Sequence, residues 1–217
     1  MNIPKIPLYQ SPEDYQGEKK IIIKPTTEKQ KRLWKETLPE LKSIEDLSCF
    51  FAIKEDLFDV ICGLEHLKQL YFQTRMTSIE GIEKLKNLTG FHISNAPKLE
   101  SIEPIGKMIW LKELTIELPK ITDYSALATL VNLEELHLDG GIDRYQKLDN
   151  ILFVKNMKKL KILTLTSTRM TDKNFDALTH LVSLEELRIS WNYPTEEFEK
   201  LRVLPNLKIC DPLFYEN

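Results

Sequence analysis

The sequence predicts an α/β solenoid: a curved stack of short coils with a concave parallel β-sheet, convex 3₁₀ and α-helical segments, and a helix capping the N-terminal end. Three observations predict it. An apolar motif returns at intervals of 21 to 27 residues along most of the chain. Within each copy two apolar residues stand two apart, as one face of a strand requires. The rest of each copy carries apolar residues about three apart, which suits a 3₁₀ turn or short helix.

The copies can be read directly. LKQLYFQTR opens at Leu67, LTGFHISNAPKL at Leu88, LKELTIELP at Leu111, LEELHLDGG at Leu133, LKILTLTST at Leu160 and LEELRISWN at Leu184, with a last opening at Leu207. The spacings are 21, 23, 22, 27, 24 and 23 residues, and a weaker copy (IEDLSCFFA) starts at Ile44. Relative positions 1, 4 and 6 are apolar, and a polar turn follows. Ile79, Ile82 and Leu85, or Tyr124, Leu127 and Leu130, give the three-residue spacing of the convex half. A single coil cannot bury its own apolar face, so the coils must stack, at roughly 4.8 Å per strand.

This pattern resembles the leucine-rich-repeat family, whose units of 20–29 residues read LxxLxLxxNxL, over about residues 44 to 211. The resemblance implies a horseshoe with its parallel sheet on the inner side. The copies from Leu67 and Leu111 resemble the short bacterial or protein-phosphatase-regulator type. Those from Leu133 and Leu160 are longer, and helices are expected around Lys147 to Asn156 and Lys173 to His180. The family's asparagine at position 9 occurs only as Asn192. Arg75, Pro119, Gly141 and Thr168 hold the equivalent places, so neither a regular asparagine ladder nor uniform curvature is expected.

The expected organisation is an N-terminal extension over residues 1–43, a solenoid of about seven repeats over 44–211 and a tail over 212–217. Within the extension, Lys19 to Pro25 (KKIIIKP) reads as a strand that blunts the sheet edge. Residues 27–38 read as a capping helix: Thr27 and Gln30 form a capping-box pattern, Leu33, Trp34 and Leu38 an apolar side, and Pro39 closes it. Pro205, Leu207, Ile209 and Pro212 resemble a half-repeat that finishes the stack.

Composition narrows the function. Among 217 residues the formal net charge is −3, without a long run of either sign, whereas a nucleic-acid binder needs a basic surplus to displace counterions. Seven glycines disfavour a phosphate-cradling loop. Cys49, Cys62 and Cys210 are odd in number and stand in apolar settings, which reads as free thiols in a reducing compartment. No signal-peptide h-region or membrane-length apolar run is present, so the expected location is the cytoplasm, with no membrane partner.

The sequence lacks GxSxG, HExxH, CxxC, Walker-type and dinucleotide motifs, and no cofactor or metal is expected. His66 and His180 fall on the convex half. His92 and His137 fall on the concave sheet two repeats apart, roughly 10 Å by strand spacing, too far for one zinc. Glu134–Glu135 and Glu185–Glu186 are neighbours along a strand and point different ways, which makes them poor acid/base pairs. The expected activity is therefore protein binding without catalysis.

If positions 3, 5 and 7 project from the concave sheet, its centre is acidic: Glu113, Glu117, Glu135 and Asp139, flanked by His92 and His137. Phe50 and Tyr71 lie towards the N-terminus, Arg188 and Trp191 towards the C-terminus. Interface centres favour Trp, Tyr and Arg, and a charged concavity steers an opposite charge. The expected partner is a protein with a basic patch, sequestered or inhibited as an immunity protein holds a toxin. The alternative is a scaffold or regulatory subunit of an enzyme complex such as a phosphatase.

Overall fold

Alternation of apolar residues becomes a ten-stranded parallel sheet in the computed structural model, which describes residues 6–118, 120–140, 145–190 and 192–211. The strands are β1 (Leu8–Tyr9), β2 (Lys20–Ile23), β3 (Asp46–Ile53), β4 (Gln69–Thr74), β5 (Gly90–Ser94), β6 (Glu113–Glu117), β7 (Glu135–His137), β9 (Ile162–Leu165), β11 (Glu186–Ile189) and β12 (Ile209–Asp211). They follow chain order across the sheet, except that β8 (Gln146–Leu148) and β10 (Thr168–Met170) leave it and pair with each other. Four helices join them: α1 (Glu28–Thr37), α2 (Glu55–Cys62), α3 (Glu103–Gly106) and α4 (Thr195–Glu199).

Register follows the repeat. Leu70, Phe91, Leu114, Leu136 and Leu163 stand side by side across β4 to β9. With Leu67, Leu88, Leu111, Leu133, Leu160 and Leu184 they form columns no more than 2% exposed. The carbonyl at position 2 of each coil accepts two N–H groups from the next. Glu45 O takes Lys68 and Gln69, Lys112 O takes Glu134 and Glu135, and Lys161 O takes Glu185 and Glu186.

The convex segments keep a spacing of three. Short 3₁₀ turns cover Ile82–Lys84, Ser125–Thr129, Leu152–Asn156 and Leu178–His180. The last two replace the helices expected around Lys147 to Asn156 and Lys173 to His180. Ile151, Val154 and Met157, or Phe175, Leu178 and Leu181, are buried exactly three apart, and a 3₁₀ turn eclipses such residues where an α-helix would splay them. Each turn closes on i→i+3 bonds, such as Val154 N–H to Ile151 O. Helix α2 was not expected; Leu57, Phe58, Ile61 and Cys62 give it a buried face at helical spacing.

At the N-terminal end the Thr27–Gln30 capping box is formed in both directions. Trp34 is fully buried, and its Nε1 donates to Gln10 O at 2.9 Å. Strand β2 is not the edge. Its outer side is covered by β1, Leu8 and Tyr9 pairing with Ile22 and Ile23, so α1 closes the convex side of a coil that lies inside the sheet. The reason is burial: Ile21 and Ile23 are fully covered, and Tyr9 is nearly so. A two-residue edge strand leaves little backbone exposed for pairing.

Side chains other than asparagine satisfy the turns after several strands. Thr74 Oγ1 donates to Ile53 O and accepts from Met76 N–H, while Thr168 Oγ1 donates to Leu138 O. Buried Gln146 accepts from Leu118 N–H (2.8 Å) and donates to Ile116 O (3.3 Å). Asparagines form their own ladder just before the opening leucines. Asn87, Asn132 and Asn206 donate to Glu65, Ile109 and Val182 carbonyls of the preceding coil. Ser167, at φ 51°, adopts the left-handed region, which costs a non-glycine residue about 1 kcal/mol, and turns the chain from β9 into β10. Replacing Gln146 by Leu strands two buried backbone groups; urea unfolding should show a loss of roughly 1–3 kcal/mol with an unchanged slope.

Candidate functional site on the concave sheet

Because positions 4 and 6 face the core, positions 3, 5 and 7 face the concavity, and parallel register lines them into columns. Position 3 runs Asp46, Gln69, Gly90, Glu113, Glu135, Ile162 and Glu186; position 5 runs Ser48, Tyr71, His92, Thr115, His137, Thr164 and Arg188. Gln73, Ser94 and Glu117 align at position 7. Phe50 departs from this lattice, since an irregularity in β3 between Cys49 and Ala52 sets Ala52 opposite Gln73. It is 44% exposed.

The N-terminal half of the face is an aromatic file. Phe50 meets Tyr71 edge-on with ring centroids 5.2 Å apart, and Tyr71 meets His92 at 4.6 Å. Such offset geometry suits the ring quadrupoles. Gln73 Nε2 donates to the Tyr71 hydroxyl at 2.7 Å, which fixes the ring. Beside the file lies an open trough of ≈ 500 Å³ lined by Tyr71, His92, Asp46, Gln69, Glu113 and Thr115, among others. Gly90 makes room for it: a Cβ there would lie 1.8 Å from Gln69 Oε1, so the Gln69 side chain crosses Gly90 and donates to Glu113 at 3.3 Å.

The central half is a carboxylate and histidine cluster. Asp139, just past β7, accepts from Thr164 Oγ1 (2.7 Å) and from the Thr166 amide (2.9 Å) and hydroxyl (2.6 Å). With its proton given to Asp139, Thr164 accepts from His137 Nδ1 at 3.0 Å. The other His137 ring nitrogen, Nε2, lies 3.6 Å from Glu135 Oε2. His92 Nε2 is covered yet makes no hydrogen bond, and Glu117 Oε1 lies 4.0 Å away. Burial, assisted by His137, lowers the His92 pKa to about 4, while burial and the Asp139 charge raise that of Glu117.

The adjoining rim is different. Position 2 alternates in sign except at the neutral Thr89, and its carboxylates are neutralised: Glu45 by Lys19 and Lys68, Glu134 by Lys112 and Lys161, Glu185 by Lys208. The two flanking lysines pull the Glu45 carboxyl down to about 2. On the concave face Asp46 and Glu186 have cations too, Lys20 and Arg188. Among the described residues no lysine or arginine nitrogen lies within 4 Å of Glu113, Glu117, Glu135 or Asp139.

Of the residues singled out from sequence, the fold brings Phe50, Tyr71 and His92 into one file and Glu117, Asp139 and His137 into one cluster. Glu113 and Glu135 are adjacent in column 3. Arg188 stands two strands beyond His137, against Glu186. Trp191 lies outside the described residues. Gln69, Thr164 and Thr166, which connect these groups, were missed; their place in the position 3, 5 and 7 columns was the available signal. His66 is partly buried and His180 exposed on the convex half. Among the described residues no group of three or more His, Cys, Asp or Glu could hold a metal, and no helix is long and apolar enough to cross a membrane.

Solved structures share this architecture. Internalin C2 from Listeria monocytogenes superposes with a TM-score of 0.58 at 21% identity, over 79% of this chain and 69% of that one. A second Listeria internalin gives 0.59 at 16%, over 86% and 64%. A leucine-rich-repeat protein of Leptospira interrogans gives 0.53 at 19%, over 88% and 55%. The chain thus has the leucine-rich-repeat fold and spans about two-thirds or less of the length of these structures. No family model matches the sequence, and no curated protein matches it.

His92 supplies a pH test. Its folded pKa lies below the 6.5 of an unfolded histidine, so the unfolded chain binds the proton first. Stability contributed by this site is complete above pH 6.5 and is lost as pH falls towards 4. NMR titration of the ring should give a midpoint near 4, and in His92→Asn that part of the acid-side loss in stability should vanish.

Proposed function

We propose that this chain is a non-catalytic protein-binding module that takes a basic segment of a partner protein into its concave sheet and thereby sequesters or inhibits that partner, as an immunity protein does. The observation that carries this reading is the contrast in neutralisation. On the rim carboxylates are matched with lysines, whereas among the described residues no lysine or arginine nitrogen lies within 4 Å of Glu113, Glu117, Glu135 or Asp139. Their closest hydrogen-bond partners are the neutral donors Gln69 and Thr164, and the His92 ring beside Glu117 is held neutral with its Nε2 unbonded. A lysine or arginine has several N–H groups and a positive charge, and would satisfy both deficits at once.

The aromatic file completes the site. Phe50 and Tyr71 offer large rigid surface of the kind that dominates interface energetics, and their faces accept cations. A plant peptide-hormone receptor solved in complex with its peptide shares the fold, with a TM-score of 0.55 at 17% identity, over 81% of this chain and 33% of that one. The same reading places the protein in the cytoplasm, away from membranes and nucleic acid. Its three cysteines are buried, and burial pushes the Cys62 thiol up to about 12, far from reactive.

Affinity purification from the native host followed by mass spectrometry should return one stoichiometric partner with a basic contact surface. Reversing Glu113, Glu117, Glu135 and Asp139 to lysine should weaken that complex about a hundredfold or more. Added salt should slow association rather than speed dissociation. Unchanged affinity in a correctly folded variant would overturn the acidic-face reading, and recovery of a phosphatase or kinase as the partner would favour a regulatory subunit.

A further inference from the structure

The small sheet at the strand-end rim carries a charge arrangement that folding does not require. Strands β8 and β10 pair Gln146 with Thr168, Lys147 with Arg169 and Leu148 with Met170. The outer members of this register are buried, none of them more than 5% exposed. Lys147 and Arg169 are thereby forced to project side by side into solvent. Like charges directly opposite each other on paired strands are destabilising. Along position 2 the facing coils avoid this by interleaving glutamates with lysines. Here, among the described residues, no carboxylate oxygen lies within 4 Å of either cation.

The acids nearest in sequence are occupied elsewhere. Asp149 accepts from the Thr122 hydroxyl, and Asp172 from the Asn174 amide. The Arg169 guanidinium instead stacks on Tyr145, its carbon 3.7 Å from the centroid of a ring that is 51% exposed. Stacking immobilises the guanidinium plane and leaves its edge donors free to point outward. Left-handed Ser167 sets this geometry, because its carbonyl accepts from Gln146 N–H where the two strands meet.

We propose that Tyr145, Lys147 and Arg169 form a second contact site, which binds a carboxylate of an acidic protein segment. The pre-oriented arginine fork takes the carboxylate and Lys147 adds a point charge. The site borders the concave face: Thr166, bonded to Asp139, is three residues from Arg169. A partner with basic and acidic stretches side by side would therefore seat in one orientation. This goes beyond the concave-face reading and stands without it.

The test is an amide NMR titration of the full chain at low salt with a hexaglutamate peptide, and separately with hexalysine. Hexaglutamate should shift Tyr145, Lys147 and Arg169 saturably, and hexalysine should not. Arg169→Lys should bind about tenfold more weakly, since the fork is lost while the charge remains; Lys147→Glu with Arg169→Glu should abolish the shifts. Lys147→Glu alone should raise the thermal unfolding midpoint, since it removes the like-charge contact. Hexaglutamate binding that survives the double reversal, no response in the wild type, or the same shifts from inorganic phosphate at equal concentration would overturn the proposal. Hexalysine shifts at Glu113 and Glu117 in the companion titration report on the concave face, so either idea can fail alone.

Discussion

No coil of this protein can bury its own leucines, and the rest of the structure depends on that constraint. Leu136, for example, becomes fully buried between Leu114 and Leu163 of the neighbouring strands. Truncating such a residue to alanine costs about 2–5 kcal/mol, whereas an exposed ion pair contributes about 0–1 kcal/mol. Packing therefore decides the register and surface charge adapts to it. Once positions 4 and 6 are committed inward, period-2 geometry commits 3, 5 and 7 outward, and a slip of one residue would turn the leucines into solvent. The concave face is a by-product of core packing.

That dependence explains what could be read from the text. The columns of the sheet follow from repetition and alternation alone, so the positions of Tyr71, Glu113 and His137 were accessible without coordinates. The spacing of three likewise announced a 3₁₀ turn or short helix on the convex side, and at Ile82 and Ser125 it is the turn. Departures were hidden because each rests on contacts distant in sequence. Phe50 leaves its column because β3 is irregular against β4. Residues 146–148 become a strand because Gln146 finds backbone partners at Ile116 and Leu118, about thirty positions upstream. The missing asparagines were legible, but their replacement by Thr74, Thr168 and Gln146 was not, since a buried hydroxyl or amide in sequence resembles any loop residue.

Electrostatics divides this side of the molecule into two territories by the same logic. Lysines on the rim are held by Glu45, Glu134 and Glu185 and so are kept from the concave carboxylates one position away. Individually these exposed pairs are nearly neutral for stability. Collectively they hold these lysines on the rim, and the centre of the sheet stays negative. Burial sharpens the effect: it holds His92 neutral and, with the Asp139 charge, raises the Glu117 carboxyl.

Irregularity then supplies what a uniform repeat could not. An ideal solenoid would present identical columns and could slide against a partner in steps of one coil. Here the steps are unequal: Gly90 opens the trough, the bulge lifts Phe50 out of line, and the longer copy from Leu133 adds β8 beside the sheet. Each feature occurs once along the stack and at a different height. A ligand that contacts the aromatic file and the acidic centre together meets them in only one register, because the file lies on β3 to β5 and the unneutralised carboxylates lie on β6 and from β7 to Asp139. Specificity in such a molecule comes from the places where the repeat is broken, and the intact coils between them hold those places at fixed distances.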